Sequence, residues 1–343
     1  MNYIITPRYR HVLRQTVHKL LIVTSLFYLT CCNEQASKEG TQNQPPASDT
    51  TAYKWAQLTA NAAFPKAYNF QILSIRDTLW VMHYAGVWFS LNGKDWIKSP
   101  LTNVLKNNAF LDYVWFKNAL YSLGTFEGNV ERYQFTSSIS KTYDMKNWEN
   151  IAIRSNLPKR FFYHPFVFKD KIWIIGGNDG SNNFDGANNF SDVWNSDDGV
   201  KWIKQADNLP FGKREHSQVV LFHEKLYLLN SDVWTSDDGI NWTQVTDRLA
   251  AEQIFGYASV VYDNKIWLLG CNRDGVFESQ VLVSENGKTW ITQAAPWTPR
   301  GAATACVHKG KVYMTGGKYG GLTKDGRTTE FVYSNDVWTL EKQ

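Results

Sequence analysis

Cysteine is scarce: the 343 residues hold four, adjacent at Cys31 and Cys32 and isolated at Cys271 and Cys306. Two isolated cysteines make no disulfide framework, so a packed core has to hold the fold. Both lie in predicted strands and are expected to serve as small buried apolar residues. An excess of charge is lacking too. The formal net charge of +4 comes from residues 1–31, which carry Arg8, Arg10, Arg14 and Lys19 and no acid. Taking those four from 36 Lys and Arg leaves 32, against 32 Asp and Glu. So balanced a chain has no basic footprint for nucleic acid. Also missing are HExxH, a Walker loop, GxSxG, a Cys/His nucleophile arrangement and any EF-hand or repeat-toxin calcium pattern. No metal and no cofactor is therefore expected. Aromatics, by contrast, are plentiful: 15 Trp, 17 Tyr and 19 Phe make up 15% of the chain. Flat rings pack well on pleated sheet.

The first 31 residues read as a signal peptide. Four basic residues precede an apolar run, Leu20 to Thr30, that is too short to span a bilayer comfortably. The stretch Leu29-Thr30-Cys31-Cys32 resembles a bacterial lipoprotein processing box, which implies lipidation at Cys32, with Cys31 the alternative. Residues 33–52 are polar and nearly free of large apolar groups, so residues 32–52 are expected to be a lipidated cysteine and flexible linker. That places the rest in the cell envelope, facing periplasm or cell exterior.

Residues 53–343 are repetitive. An apolar-aromatic-apolar strand core follows a polar turn at Leu79-Trp80-Val81, Ile172-Trp173-Ile174, Leu226-Tyr227-Leu228, Ile266-Trp267-Leu268 and Val312-Tyr313-Met314, with a weaker copy at Leu120-Tyr121-Ser122. A second marker, Ser-x-Asp/Asn-Gly-x-x-Trp, recurs at Ser90–Trp96, Ser196–Trp202, Ser236–Trp242 and Ser284–Trp290. Thr142–Trp148 is a degenerate copy with Met145 in place of Gly. The Asp-Gly and Asn-Gly pairs suit two-residue hairpin turns, in which both central residues take positive φ. Asp-Val-Trp often precedes the motif, at Asp192, Asp232 and Asp336.

The motif tryptophan lies 25 residues before the next hairpin aromatic at Trp96→Tyr121, Trp148→Trp173, Trp202→Tyr227 and Trp242→Trp267, and 23 before it at Trp290→Tyr313. All length variation falls between the second and third strands of each unit. One variable loop in a rigid register predicts an all-β, six-bladed β-propeller of four-stranded blades, strands A to D. The sixth copy ends after its third strand. Trp55 stands 25 residues before Trp80, in phase with the other tryptophans, so residues 53–58 are expected to supply that blade's outer strand and close the ring.

The pattern resembles the kelch family, including the propeller domain shared with galactose oxidase, over residues 53–343. The Gly-Gly pairs that end kelch strands are kept at Gly176-Gly177 and Gly316-Gly317, in part at Gly270-Cys271 and Gly124, and replaced at Asn230. The turn motif is also similar to the Asp box of sialidase propellers, but one residue shorter. The copper ligands of galactose oxidase do not map onto this chain, so oxidase activity is not expected.

Arg160, Arg214 and Arg300 each stand 13 residues before a hairpin aromatic, where the other units carry Ala67, Asn108 and Ile254. His164, Glu215 and His216 lie close by. If ligands meet the face where D–A and B–C loops open, these arginines together with His164 and His216 form a candidate anion site, using bidentate hydrogen bonds. The resemblance equally implies a packing role between blades. The loops Asn178–Phe190, Asn272–Gly275 and Lys318–Arg327, rich in Asn, Gly and Asp, suit sugar or peptide recognition. The expected function is a monomeric binding module for a carbohydrate or protein ligand, held at a membrane by its lipid and catalysing nothing. The alternative is a small enzyme on acidic sugars, because some kelch-type bacterial propellers of similar size are sialic-acid mutarotases. In that reading Glu215 with Arg214 or Arg300 would supply the acid/base group and the clamp.

Overall fold

The computed structural model describes residues 53–101, 112–128, 133–180, 188–251, 253–323 and 325–343. The leader, Cys32 and the tether lie outside the described residues. Among those described, no helix is long and apolar enough to cross a membrane.

Every named element is a strand. Blade one comprises β2 (Gln71–Ile75), β3 (Thr78–His83), β4 (Gly86–Ser90) and β5 (Ile97–Lys98), and β1 (Tyr53–Thr59) precedes it in the chain. Blade two comprises β6 (Tyr113–Phe116), β7 (Ala119–Gly128), β8 (Tyr133–Thr142) and β9 (Glu149–Ala152). Blade three comprises β10 (Phe166–Phe168), β11 (Lys171–Ile175), β12 (Val193–Ser196) and β13 (Ile203–Ala206). Blade four comprises β14 (Gln218–Phe222), β15 (Lys225–Leu229), β16 (Val233–Ser236) and β17 (Thr243–Thr246). Blade five adds a short β18 (Ile254–Phe255) to β19 (Ala258–Tyr262), β20 (Lys265–Arg273), β21 (Val276–Ser284) and β22 (Ile291–Ala294). Blade six comprises β23 (Thr304–His308), β24 (Lys311–Thr315) and β27 (Val337–Lys342), with a separate hairpin, β25 (Lys318–Leu322) and β26 (Thr328–Tyr333), inserted between its B and C strands.

The ring closes as expected. β1 pairs antiparallel with β27, Trp55 opposite Leu340, and completes blade six in the order β1-β27-β24-β23. The inner strands β14, β19, β23 and β2 follow one another side by side around the axis. Side chains bridge neighbouring blades there: Gln71 brackets the backbone of Tyr113, and the Thr304 hydroxyl accepts from Ile72 N at 3.0 Å.

Both turn classes follow from local chemistry, and one differs from the sequence expectation. The polar turns before the strand cores, joining A to B, are tight reversals as expected, whereas the Asp-Gly motifs joining C to D are not two-residue turns with positive φ at both positions. All six A–B turns carry such a pair: Arg76-Asp77, Lys117-Asn118, Lys169-Asp170, His223-Glu224, Asp263-Asn264 and Lys309-Gly310. Such turns match the right-handed twist of the strands they join. The Asp-Gly motifs make wider C–D loops in which side chains replace backbone partners. Ser196 Oγ accepts from Gly199 N, Asp198 Oδ1 accepts from Val200 N and Lys201 N, and Trp202 Nε1 donates to Gly199 O. Only the glycine is left-handed, at φ 76°. A Cβ there would stand 2.8 Å from the Tyr121 ring of the preceding blade, so the motif glycine and the hairpin aromatic form one blade-to-blade contact. Met145 fills the same place in blade two at φ 64°, buried.

These loops make the fold sensitive to acid. Backbone N–H bonds from Asn147 and Lys146 hold the Asp144 carboxyl down at about 2. At Asp238, burial raises the carboxyl, but the N–H groups of Asn241 and Ile240 outweigh it and also leave it at about 2. A carboxyl held below its unfolded value near 3.9 contributes stability above about pH 4 that is lost as pH falls toward 2. Asn serves the same caps at Asn92 and Asn286. Asp238→Asn is therefore expected to fold, to be less stable than the parent at pH 7, and to match it near pH 2. Urea unfolding across that range measures the closing gap.

Cys271 is fully buried in the core between blades four and five, and Cys306 packs half-buried between blades six and one. Burial pushes the Cys306 thiol up.

Candidate binding site at the channel mouth

The three repeating arginines are spent within their own blades. Arg160 grips Asp192 bidentately, Nη1 to Oδ1 at 2.7 Å and Nη2 to Oδ2 at 3.0 Å, and donates to Gly176 O. Arg300 does the same with Asp336, at 2.5 and 2.9 Å, and with Gly316 O. Arg214 holds Asp232 at 2.7 and 3.2 Å. In each case the indole N–H of the Asp-Val-Trp tryptophan donates to the same carboxylate. Arg160 and Arg300 are 2% and 1% exposed, and their N–H groups are already matched by carboxylates and carbonyls. The expectation of three arginines turned toward a common anion is thus corrected: each locks the D–A loop to the B and C strands of its blade.

Two residues beyond that position the chain turns left-handed in the five blades where that residue is described. Asn69, Phe162, His216, Gly256 and Ala302 have φ between 53° and 69°, which is costly for residues as bulky as Phe and His. Backbone hydrogen bonds link these corners from blade to blade, His216 N to Phe162 O at 2.8 Å and Ala302 N to Gly256 O at 2.6 Å. They form the rim of the central channel. The rim is lopsided, with large rings at Phe162 and His216 (centroids 3.8 Å apart) and small residues at Gly256 and Ala302.

Three hairpins rise on this face: β7–β8, β20–β21 and β25–β26. The segments Asn272–Gly275 and Lys318–Arg327, expected as loops, are in fact a tight hairpin turn and most of the inserted β25–β26 hairpin. Phe277 meets Phe331 edge-on at 6.3 Å, joining the hairpins of blades five and six. Of the loop 178–190, residues 181–187 lie outside the described residues; Asn178 bridges Phe161 and Asn189.

Titratable groups from four blades gather at the mouth. His164 Nδ1 pairs with Asp112; burial lowers the imidazole, but the Asp112 charge and hydrogen bond more than reverse this and raise it. His216 reaches solvent yet is surrounded by protein, as at the floor of a concavity. Burial, with the charges of His164 and Lys318, pushes it down to about 3, so it is neutral at physiological pH. Lys318 leaves the backbone where it pairs with Gly301 beside the rim. Its ammonium lies 4.4 Å from the Tyr68 ring centroid and 4.7 Å from that of Phe331, and burial lowers its affinity for the proton. Glu215 is raised by burial, an effect offset in part by its hydrogen bond with Asn178, and its Oε2 is buried without a hydrogen-bond partner among the described residues.

Residues 184–290 match the family described as DUF6242 beta propeller domain. No curated protein matches the sequence. Among solved structures, "Structure of YjhT" superposes with a TM-score of 0.62 at 13% identity, covering 80% of this chain and 96% of that one; at such identity the likeness is one of fold.

His164, Glu215 and His216, singled out in the sequence, do reach the mouth. Asp112, Lys318, Tyr68 and Phe331 were not singled out. Tyr68 lies one residue after the arginine position, a register already visible in the spacing. Lys318, directly after Gly316-Gly317, was visible only as part of a loop. Among the described residues no group of three or more His, Cys, Asp or Glu is placed to hold a metal.

Proposed function

We propose that this chain is a ligand-binding propeller displayed outside the cytoplasm on a lipid tether at Cys32, and that its ligand enters the channel mouth where the D–A and B–C segments meet. One observation carries the reading. His164 Nδ1 pairs with Asp112, His216 packs on Phe162, and the charges of His164, Asp112 and Lys318 all bear on His216, so groups from blades two, three, four and six come together beside the left-handed corners. Polar groups converging among aromatic walls are the makings of a small-molecule site. The lipid tether rests on the leader sequence, and the kelch resemblance supports ligand binding on this face. Purified protein applied to glycan and peptide arrays is expected to select a ligand whose binding falls at least tenfold in His216→Ala and is unchanged by Ile203→Ser on the outer rim. A ligand indifferent to His216 but lost with Ile203 would place the site elsewhere.

Glu215 favours a second reading, an enzyme that interconverts the anomers of an acidic sugar. Mutarotation requires a base to take the anomeric hydroxyl proton and an acid to protonate the ring oxygen, with both transfers reversed on closure. A carboxyl raised by burial beside the neutral His216 suits such exchange. Under this reading the protein speeds α/β exchange of an acidic sugar in NMR exchange spectra, and Glu215→Gln slows it by about 100-fold or more. An exchange rate the parent protein leaves untouched dismisses this reading for that sugar.

A further inference from the structure

We propose that Lys318, held between Tyr68 and Phe331, is the anchor for a carboxylate on a small ligand in the channel. The inference deepens the channel-mouth reading and rests on it. An ammonium has three donors. Two faces of the Lys318 ammonium are covered by rings, which attract a cation through their quadrupole but accept no conventional hydrogen bond. Among the described residues, its Nζ has neither a carboxylate within ion-pair distance nor a hydrogen-bond acceptor. Four other buried or half-buried cations do have a carboxylate: Arg160 has Asp192, Arg214 has Asp232, Arg300 has Asp336 and Lys265 has Glu285. An enclosed cation without an anion carries an uncompensated desolvation cost, and a carboxylate arriving with the ligand supplies the missing partner.

The direction of the charge is set by the fold. Lys318 starts β25 in blade six, Tyr68 precedes the left-handed corner of blade one, and Phe331 lies on β26, the partner strand of the same hairpin. These surround the ammonium from the side of blades six and one. Its charge also contributes to lowering His216, in blade four. The nearby acid Asp112 is already engaged by His164, and His216 is neutral, so neither opposes an incoming anion. The rim carries small residues at Gly256 and Ala302 and large rings at Phe162 and His216. The matching ligand is a compact monoanion with a carbon skeleton that can lie against the Tyr68 and Phe331 rings: a sugar acid or hydroxy acid, as opposed to a polyanion or nucleic acid.

Sodium glucuronate is the probe, with glucose as its neutral counterpart and lactate as the smallest carboxylate, titrated into the full-length protein whose lysines are labelled by 13C reductive methylation. Glucuronate is expected to shift the Lys318 resonance, to bind at least tenfold more tightly than glucose, and to weaken as NaCl is added. Lys318→Met, which keeps the stem between the rings and removes the charge, is expected to cost at least tenfold in glucuronate binding and to leave glucose unchanged. Tyr68→Leu serves as a second variant that retains the charge and disturbs its enclosure; it is expected to weaken glucuronate severalfold. A thermal melt verifies that both variants fold. Glucuronate binding that is indifferent to Lys318→Met, equal binding of glucose and glucuronate, or no response of Lys318 to either carboxylate overturns the anchor. The channel-mouth reading is judged separately, by the His216→Ala response of whatever ligand the arrays return.

Discussion

A chain that begins at Ala60, lacking β1, is expected to lose most of its stability and to associate through an exposed sheet edge. β1 is the outer strand of blade six, paired from Tyr53 opposite Lys342 to Gln57 opposite Trp338 and, past a register shift, at Thr59 opposite Val337. Its side chains do more than complete a ladder. The Trp55 ring meets Trp297 edge-on with centroids 4.6 Å apart, and Tyr53 meets Trp267 at 5.0 Å while its hydroxyl donates to Asp263. The first strand thus binds the last strand of the ring to blade five as well. Without it β27 becomes an open edge ready to pair with another chain. Loss of a large packed aromatic alone costs about 3 kcal/mol at the lower end of the usual range, which suits the half-buried Trp55. Trp55→Ala is expected to show that cost, and removal of the strand more, against a total stability of about 5–15 kcal/mol. Guanidinium unfolding followed by tryptophan fluorescence, with light scattering for association, gives both numbers. A peptide of residues 48–60 added in trans should restore part of the loss. Unchanged unfolding of the shortened chain would mean that the ring holds without its closing strand.

The second large effect is expected at Arg160. Arg160→Ala strands the Asp192 carboxylate, 5% exposed, leaving it, among the described residues, the neutral Trp194 indole N–H as hydrogen-bond donor. Breaking one side of a buried pair costs about 3–5 kcal/mol, whereas replacing both sides with apolar groups of similar size is often close to neutral. Arg160→Met combined with Asp192→Leu is accordingly expected to recover most of what Arg160→Ala loses. The pH dependence is a further check. Burial raises Asp192, and the hydrogen bond and charge of Arg160 more than reverse this, so its folded value lies below the unfolded one. The pair therefore contributes stability above about pH 4 that is lost as pH falls through the folded value. Arg160→Ala should be far less stable than the parent at pH 7 and differ from it less at low pH. Because the arginine ties together three segments of one blade, the same substitution should leave ligand binding at Lys318 and His216 intact under conditions where the variant is folded.

Much of the site was legible, and some of it was misread for an identifiable reason. The arginines at 160, 214 and 300 occur in blades three, four and six, the same three blades that carry Asp-Val-Trp at 192, 232 and 336. Blades without one lack the other. That co-occurrence named the partner of each guanidinium, but the two motifs lie 18 to 36 residues apart and were read separately. The Asp-Gly turns were read as two-residue reversals because the dipeptide favours positive φ at both positions. Serine and aspartate side chains instead cap a longer loop and confine positive φ to the glycine. The inserted hairpin β25–β26 escaped because Gly320, Gly321 and Gly326 have loop-like composition, while its pairing is set by partners in space.

The sequence by itself determined the number of blades, the strand that closes them and the register of their rings, because a repeat of nearly constant length leaves each unit only one way to bury its aromatic face against the next. Only the tertiary structure decided which charges are spent and which are open. Arg160 and Lys318 are both cations beside the Gly-Gly pair of their own blade, Arg160 bonded to Gly176 O and Lys318 directly after Gly317. One finds an aspartate in its own blade, and the other finds two aromatic rings from different segments. That distinction depends on distances across a closed ring, which no local pattern encodes.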